Sequence, residues 1–388
     1  MVDILCLNVG SSSLSFVAFS ETSAGLTQLA DGGVDLSREA SLQINVEDKS
    51  GMKFIVPDPS DFDDAVLGII DKLKSAAVLG SGYVVSHRVV HGGNRTCAAE
   101  WLTPDLAQQL DLLTPLAPLH QRKALGPAQT IAKQHPHTPQ VAVYDSSFHA
   151  TLPDLARALP LPDAPALQGI RRFGFHGLSY AWVARYMAEV APSRRRIVAL
   201  HLSGGCSACA MKDGRSIDTT MGATPLDGPM MGTRSGAVDP GLVLYLLQAR
   251  NLTPDDVAHM LWHESGLKGV SGISNDLRDL LPSDDPRAER ATGLFCRKVA
   301  KAVAEMTVSL GALDALVFTG GIGAEQPRIR ERICADLAVF GIQLVPEANE
   351  ACAELLTAPD AFIEVRAVAS QEELIMAQET QNLMRSAR

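Results

Sequence analysis

The sequence predicts an α/β protein made of two similar domains, each presenting a polar loop to a shared cleft. Three observations carry that prediction. Strand-like runs alternate with segments of helical apolar spacing along the chain. Two distant stretches, LCLNVGSSSLSFVAF (5–19) and VALHLSGGCSACAMK (198–212), share one design: an apolar strand, a polar residue near its end (Asn8, His201), a Gly-Ser tip and a returning apolar strand. Between them, LPDLARALPLPDAPAL (152–167) has prolines that break any periodicity and mark a crossing from one domain to the next.

In the first half, Ile4–Val9, Ser15–Phe19, Gln28–Val34, Leu42–Val46 and Tyr83–Val90 read as strands. Phe62–Leu73 has helical spacing behind Pro59-Ser60-Asp61, an N-cap signal. Residues 103–113 and 123–134 read as two further helices, and 140–148 as a buried strand ending at Asp145. The second half begins with strands on either side of the 203–205 tip and a turn at Asp213-Gly214. Helices follow at Pro240–Arg250, Thr253–His263 and Ala288–Ser309. ALVFTGGIGAE (315–325) reads as a strand entering a Gly-rich turn, 327–340 as a helix, 362–368 as a last strand and 371–384 as a last helix.

The 388 residues suffice for two to three domains, and 46% hydrophobic with 20% charged content is ordinary globular composition. A net charge of −10 argues against a nucleic-acid partner, which needs a basic surface. No basic, cleavable leader and no long apolar run is visible, and the seven scattered cysteines read as reduced thiols, so a cytoplasmic protein without a membrane partner is expected. Cys206 and Cys209 have CxxC spacing without a second pair and read as buried strand residues. His259 and His263 are expected on a partly buried helix face.

Three Gly-rich tips, each at a strand end (GSSS, SGGCS, TGGIG), can offer backbone N–H groups to phosphate oxygens; none is a Walker A loop, since no GK[ST] follows. Arg88 sits inside an apolar strand and Arg234 among glycines and methionines, surroundings in which a guanidinium needs an anionic partner. Asp145, His120 and His176 add polar groups of the kind phosphoryl transfer uses.

These motifs, in this order, resemble the acetate kinase family. The match runs nearly end to end through NVGSSSL, HRVVHGG, APLH, VYDSSFH, RRFGFHGLSY, MGATPLDGPMMGTRSGAVDPG, GISNDLRDL, FTGGIG and QEELIMAQET. The resemblance implies two ribonuclease H-like domains of the actin-like ATPase kind with the active site in a central cleft. The first would span 1–148, completed by the C-terminal helix 372–388; the second, 149–371, would bind nucleotide. It implies a homodimer and a reversible transfer from ATP to acetate giving acetyl phosphate and ADP, with Mg²⁺, or Mn²⁺ in its place.

By motif position, Asn8 and Glu372 would hold the metal. Arg88, Asp145 and His120 would bind the acid, and Arg234 and His176 would stabilise the transition state. The nucleotide would lie on Ser11, Ser13, His201, Leu202, Ser203, Gly204, Gly205, Asp276, Leu277, Arg278, Gly320, Gly321, Ile322 and Gly323. Acetate is already ionised at neutral pH, so catalysis would be positioning plus positive charge rather than base chemistry.

Four departures accompany the resemblance. Ser15 stands where the family has Lys; Leu202-Ser203-Gly204-Gly205 replaces Leu-Gly-Asn-Gly; Gln121-Arg122 replaces Asn-Pro; and Ala324-Glu325 replaces Glu-Asn. Arg122 is the candidate to replace a lost phosphate contact. A propionate or butyrate kinase, and an idle nucleotide-binding protein of the same fold, are the alternatives these departures leave open.

Overall fold

The computed structural model describes residues 2–10, 13–23, 25–35, 41–46, 53–57 and 62–387. The chain divides into two compact units, Met1–Ser147 with Gln371–Arg388, and Phe148–Ser370. Among the described residues no helix is long and apolar enough to cross a membrane.

The first unit is built on eight strands: β1 (Asp3–Val9), β2 (Ser13–Thr22), β3 (Gly25–Asp35), β4 (Ser41–Val46), β5 (Lys53–Pro57), β6 (Tyr83–Val89), β7 (Ala99–Trp101) and β8 (Gln140–Tyr144). Their order is β5-β4-β3-β2-β1-β6-β8-β7. β1, β6 and β8 run parallel, while β2 to β5 return antiparallel from β1. Alternation along β1 decides what each face carries. Leu5, Leu7 and Val9, with Leu14 and Phe16 of β2, pack against Ala65, Val66, Ile69, Ile70 and Leu73 of helix Phe62–Ser75. Asn8 therefore lies on the opposite face, which the C-terminal helix Glu372–Ser386 covers. That helix is pinned to β6 by a buried hydrogen bond from Thr380 to Ser86 (2.9 Å).

The second unit holds β9 (Arg196–Leu202), β10 (Cys206–Lys212), β11 (Arg215–Thr219), β12 (Ala315–Thr319) and β13 (Glu364–Ala367), in the order β11-β10-β9-β12-β13. β9, β12 and β13 are parallel, and β9 to β11 form an antiparallel meander. This is the plan of β3-β2-β1-β6-β8, so the repeat in the sequence is a repeat in topology: two ribonuclease H-like sheets. Ile197 and Ala199 face Tyr180, Val183 and Met187 of helix Gly177–Val190. The long helix Pro286–Leu310, capped by Asp285 and closed by Gly311, follows its predicted span closely.

Several expectations are revised. TGGIG is not an open turn: Gly320 begins a short helix, Gly320–Glu325, at φ +76°. A side chain there would meet the Leu202 carbonyl oxygen at 2.6 Å, so the backbone of β9 dictates glycine. His259 and His263 stack at 5.1 Å on an exposed helix face, with His259 beside Glu264, rather than on a partly buried one. The N-cap signal at Pro59-Ser60-Asp61 lies outside the described residues. Cys206 and Cys209 are buried on β10 with separate partners, Ser203 O and Ser216 Oγ, and burial pushes both thiols up to about 12.

Candidate active site

In the first unit, Arg88 of β6 is the hub. Its Nε and Nη2 donate to Asp145 Oδ2 (3.1 and 2.7 Å), and its Nη1 donates to Asn8 Oδ1 (2.9 Å) and lies 3.0 Å from Glu372 Oε2. Asp145, at the end of β8, is fully buried. Burial alone would lower the Arg88 pKa, but Asp145 and Glu372, helped by Glu373, outweigh it and hold the guanidinium charged above its ordinary range. Asn8 Nδ2 donates to Glu372 Oε2 (2.9 Å) and Glu373 Oε1 (3.0 Å), and Ser15 Oγ donates to the same Glu373 oxygen (2.6 Å). Three carboxylates thus face one arginine. His120 is half-buried at the N-cap of helix Gln121–Gln134.

Three residues have partners that the sequence did not show. Glu373 joins Asn8, and adjacent acids in EE left no way to see that both would. Ser15, in the place of a lysine, is a neutral donor to that carboxylate. Gln121 is fully buried and ties its surroundings with three bonds, accepting from His91 N (3.2 Å) and donating to His91 O and Leu110 O (both 3.0 Å). Gln121 is therefore a structural tie. The Arg122 side chain, the candidate for a phosphate contact, is 76% exposed and reaches toward Asp111.

In the second unit, alternation along β9 sends His201 to the face of helix Gly177–Val190, where His176 is the N-cap residue. The two rings stack at 4.2 Å and 24°. His176 has a left-handed backbone (φ 58°), unusual for a non-glycine, and its ring is fixed by Ser207 Oγ at Nδ1 (2.7 Å). The same relation appears in both units: the penultimate residue of the first strand, Asn8 or His201, meets the residue at the N-terminus of the covering helix, Glu372 or His176.

Arg234 is 5% exposed and has no carboxylate within 4 Å among the described residues; Nη1 donates to the Pro225 carbonyl (2.6 Å). Burial pushes its pKa down to about 10, still charged at neutral pH. A buried guanidinium without a carboxylate is costly unless an anion arrives. Gly205 is what lets the tip approach: a Cβ there would stand 2.7 Å from Arg234 Nη2 and 3.1 Å from His176 Nε2.

Of the predicted nucleotide residues, Leu202, Ser203, Gly204, Gly205 and Gly320 meet at that tip. Gly232 N donates to Gly204 O (3.5 Å), a Cβ on Gly232 would touch Asn275 O, and Gly320 abuts Leu202. Asp276 caps helix Leu277–Leu280 and binds the Arg278 guanidinium (2.6 Å), with Leu277 buried beneath. Ser203 N donates to Gly205 O (2.9 Å); Gly321 is exposed, Ile322 half-buried and Gly323 buried. Ser13 begins β2, and its carbonyl accepts from Gly10 N (2.7 Å); Ser11 lies outside the described residues.

With this geometry in view, the chain was compared with known proteins. The model of the acetokinase family matches residues 3–378. The chain belongs to the acetokinase family. A protein of Rhodopseudomonas palustris named acetate kinase is 40% identical over 383 residues, covering 96% of each chain. One of Nitrobacter hamburgensis, also named acetate kinase, is 38% identical over 391 residues, covering 99% of this chain and 96% of its own. Among solved structures, a propionate kinase from Francisella tularensis superposes with a TM-score of 0.88 at 33% identity, covering 98% of this chain and all of its own. Porphyromonas gingivalis acetate kinase gives 0.84 at 32%, covering 99% and 100%. As a member of the acetokinase family this chain is a kinase, a phosphotransferase with a carboxyl group as acceptor, on the actin-like fold.

Proposed function

We propose that this acetokinase transfers the γ-phosphoryl group of ATP directly to acetate, reversibly, giving acetyl phosphate and ADP. The observation that carries the reading is the pair of fixed arginines in unlike settings: Arg88 locked to Asp145, and Arg234 buried without a carboxylate. A carboxylate oxygen forms the new bond to phosphorus as the bond from phosphorus to the ADP oxygen breaks, and no proton has to move. The difficulty is bringing one anion onto another, which positive charge and fixed donors relieve. Arg88, held by Asp145, takes the acid, with His120 beside it in role. Arg234 and His176 take the developing charge on the phosphoryl oxygens. His201, the 202–205 tip, Asp276–Arg278 and Gly320–Gly323 hold the nucleotide.

Three carboxylates against one arginine, with an amide oxygen among them, are hard oxygen donors with surplus negative charge, which fits Mg²⁺ or Mn²⁺. Asn8 and Glu372 would hold the ion, which when bound neutralises phosphate charge. Arg88 engages Asn8 Oδ1 and Glu372 Oε2, and Asn8 Nδ2 donates to the same Glu372 oxygen.

A homodimer in the cytoplasm is part of the same proposal. Helix Pro240–Ala249 buries none of its residues although it reads PGLVLYLLQA, and Leu242, Leu244 and Tyr245 are 48%, 54% and 46% exposed. An apolar helix of this kind needs a partner, and a second copy supplies one. Propionate is the second acid to consider, given the propionate kinase among the structural neighbours.

The test is hydroxamate formation by the purified protein with MgATP and acetate, propionate or butyrate. Turnover on acetate that Arg88→Ala and Arg234→Ala each reduce by at least 100-fold supports the reading. ATP binding with no turnover on any acid refutes it.

A further inference from the structure

We propose that Ser207 and Tyr180 are positioning residues that hold the His176 ring as the neutral tautomer with its proton on Nε2, so that it donates a hydrogen bond toward the Arg234 side. The Tyr180 hydroxyl lies 2.5 Å from Ser207 Oγ, which lies 2.7 Å from His176 Nδ1. Tyr180 and Ser207 are fully buried, and His176 is 8% exposed.

Counting protons fixes the direction of this chain. If Nδ1 carried the proton, it would donate to Ser207, and whichever way the Ser207–Tyr180 bond ran, one hydroxyl proton, the phenol's or the serine's, would be left buried with no acceptor among the hydrogen bonds of the described residues. An imidazolium leads to the same orphan. With Tyr180 donating to Ser207 and Ser207 donating to Nδ1, every proton is used and Nε2 keeps the ring proton.

The neighbouring ring has the same arrangement. Ser370 Oγ donates to Ser179 Oγ (3.3 Å), which is 2.9 Å from His201 Nδ1. With Ser370 donating to it, Ser179 keeps its own proton available for His201 Nδ1, the arrangement in which that ring too presents Nε2–H. Two rings stacked at 4.2 Å could not both be charged without strong repulsion, so neutral donors suit the pair.

His176 Nε2 lies beside the place where a Gly205 side chain would be, 3.1 Å away, with Arg234 Nη2 on the same spot at 2.7 Å. A donor there stabilises a phosphoryl oxygen gaining charge, whereas a lone pair would repel it. This catalytic consequence rests on the acetate kinase reading; the tautomer can be read without substrate.

The experiment is a long-range ¹H–¹⁵N spectrum of the full chain labelled in histidine nitrogen, with the signal assigned by its loss in His176→Gln. The Nε2–H pattern is expected at His176. In Ser207→Ala it should give way to mixed tautomers, with kcat down about 10- to 100-fold and KM for acetate within twofold. Ser207→Thr, which keeps the hydroxyl, should restore the pattern. An Nδ1–H or doubly protonated His176 in the wild-type protein overturns the proposal, as does a Ser207→Ala spectrum identical to wild type. If Ser207→Ala does not fold, the wild-type spectrum and that of Tyr180→Phe, which should loosen the tautomer, still decide. A wild-type protein with the Nε2–H pattern but no turnover supports the tautomer and sinks the kinase reading.

Discussion

Gly205→Ala isolates the contact on which the proposed phosphoryl stabilisation depends. The added methyl would stand 2.7 Å from Arg234 Nη2, which is 0.7 Å inside the 3.4 Å where ordinary contact begins, and 3.1 Å from His176 Nε2. The Arg234 tip is the far end of a long side chain, but it is buried and tied at Nη1 to Pro225 O (2.6 Å), so it cannot swing freely. His176 is held by Ser207 and by its stack on His201. One group or the other must give by roughly 0.7 Å, or the 203–205 tip must retreat. A displacement of about 1 Å at reacting groups costs up to about 100-fold in rate. Overpacking a tight site costs about 1–3 kcal/mol of stability. The expected result is kcat for hydroxamate formation down about 30- to 100-fold, a modest drop in melting temperature, and KM for acetate within twofold, because Arg88 and Asp145 lie in the other unit. A kcat within twofold of wild type would refute the placement of Arg234 and His176 against this tip.

Other outcomes follow from the same structure. Gln121→Ala should cost about 2–3 kcal/mol in urea unfolding, since it removes the acceptor of the His91 N–H and the donor to the His91 and Leu110 carbonyls in a buried site. Gly204→Asn should lower KM for ATP about tenfold, as an added Cβ meets no atom within 4 Å and the amide would add a phosphate contact. Leu244→Glu should convert a sedimenting dimer to monomer at micromolar concentration with the circular dichroism spectrum unchanged. His87 and His149, both buried, are held neutral by desolvation at about 4 against an ordinary 6.5. The unfolded chain therefore binds more protons between those values, and stability should be full above pH 6.5 and fall as pH drops toward 4, by up to about 3 kcal/mol per histidine. His87→Gln should flatten that dependence in urea midpoints measured at pH 7 and 4.5.

Much of the architecture was legible because alternation and turn chemistry dictate it. The β1–β2 and β9–β10 hairpins, the Asp213-Gly214 turn and helix Pro286–Leu310 each carry their own local signal. Helix Gly177–Val190 was missed because its N-cap is a left-handed histidine instead of a capping serine or aspartate. β7 has three residues, too few for a period to show. Gly320–Glu325 is helical against the poor propensity of its glycines, and the Leu202 backbone leaves room for nothing larger than glycine at 320. At the site, Arg88, Asp145 and Arg234 could be picked out as charges in apolar surroundings. Ser207 and Gln121 could not, because a polar residue in a buried strand or at a helix start names no partner until the chain is folded.

The most direct test that the carboxylate oxygen attacks phosphorus uses acetate labelled with ¹⁸O in its carboxylate, MgATP and hydroxylamine, with the released phosphate read by ³¹P NMR. If the carboxylate oxygen attacks phosphorus, that oxygen stays on phosphorus when hydroxylamine takes the acetyl carbon, so phosphate should carry one ¹⁸O. Hydroxamate formed alongside unlabelled phosphate would contradict the account.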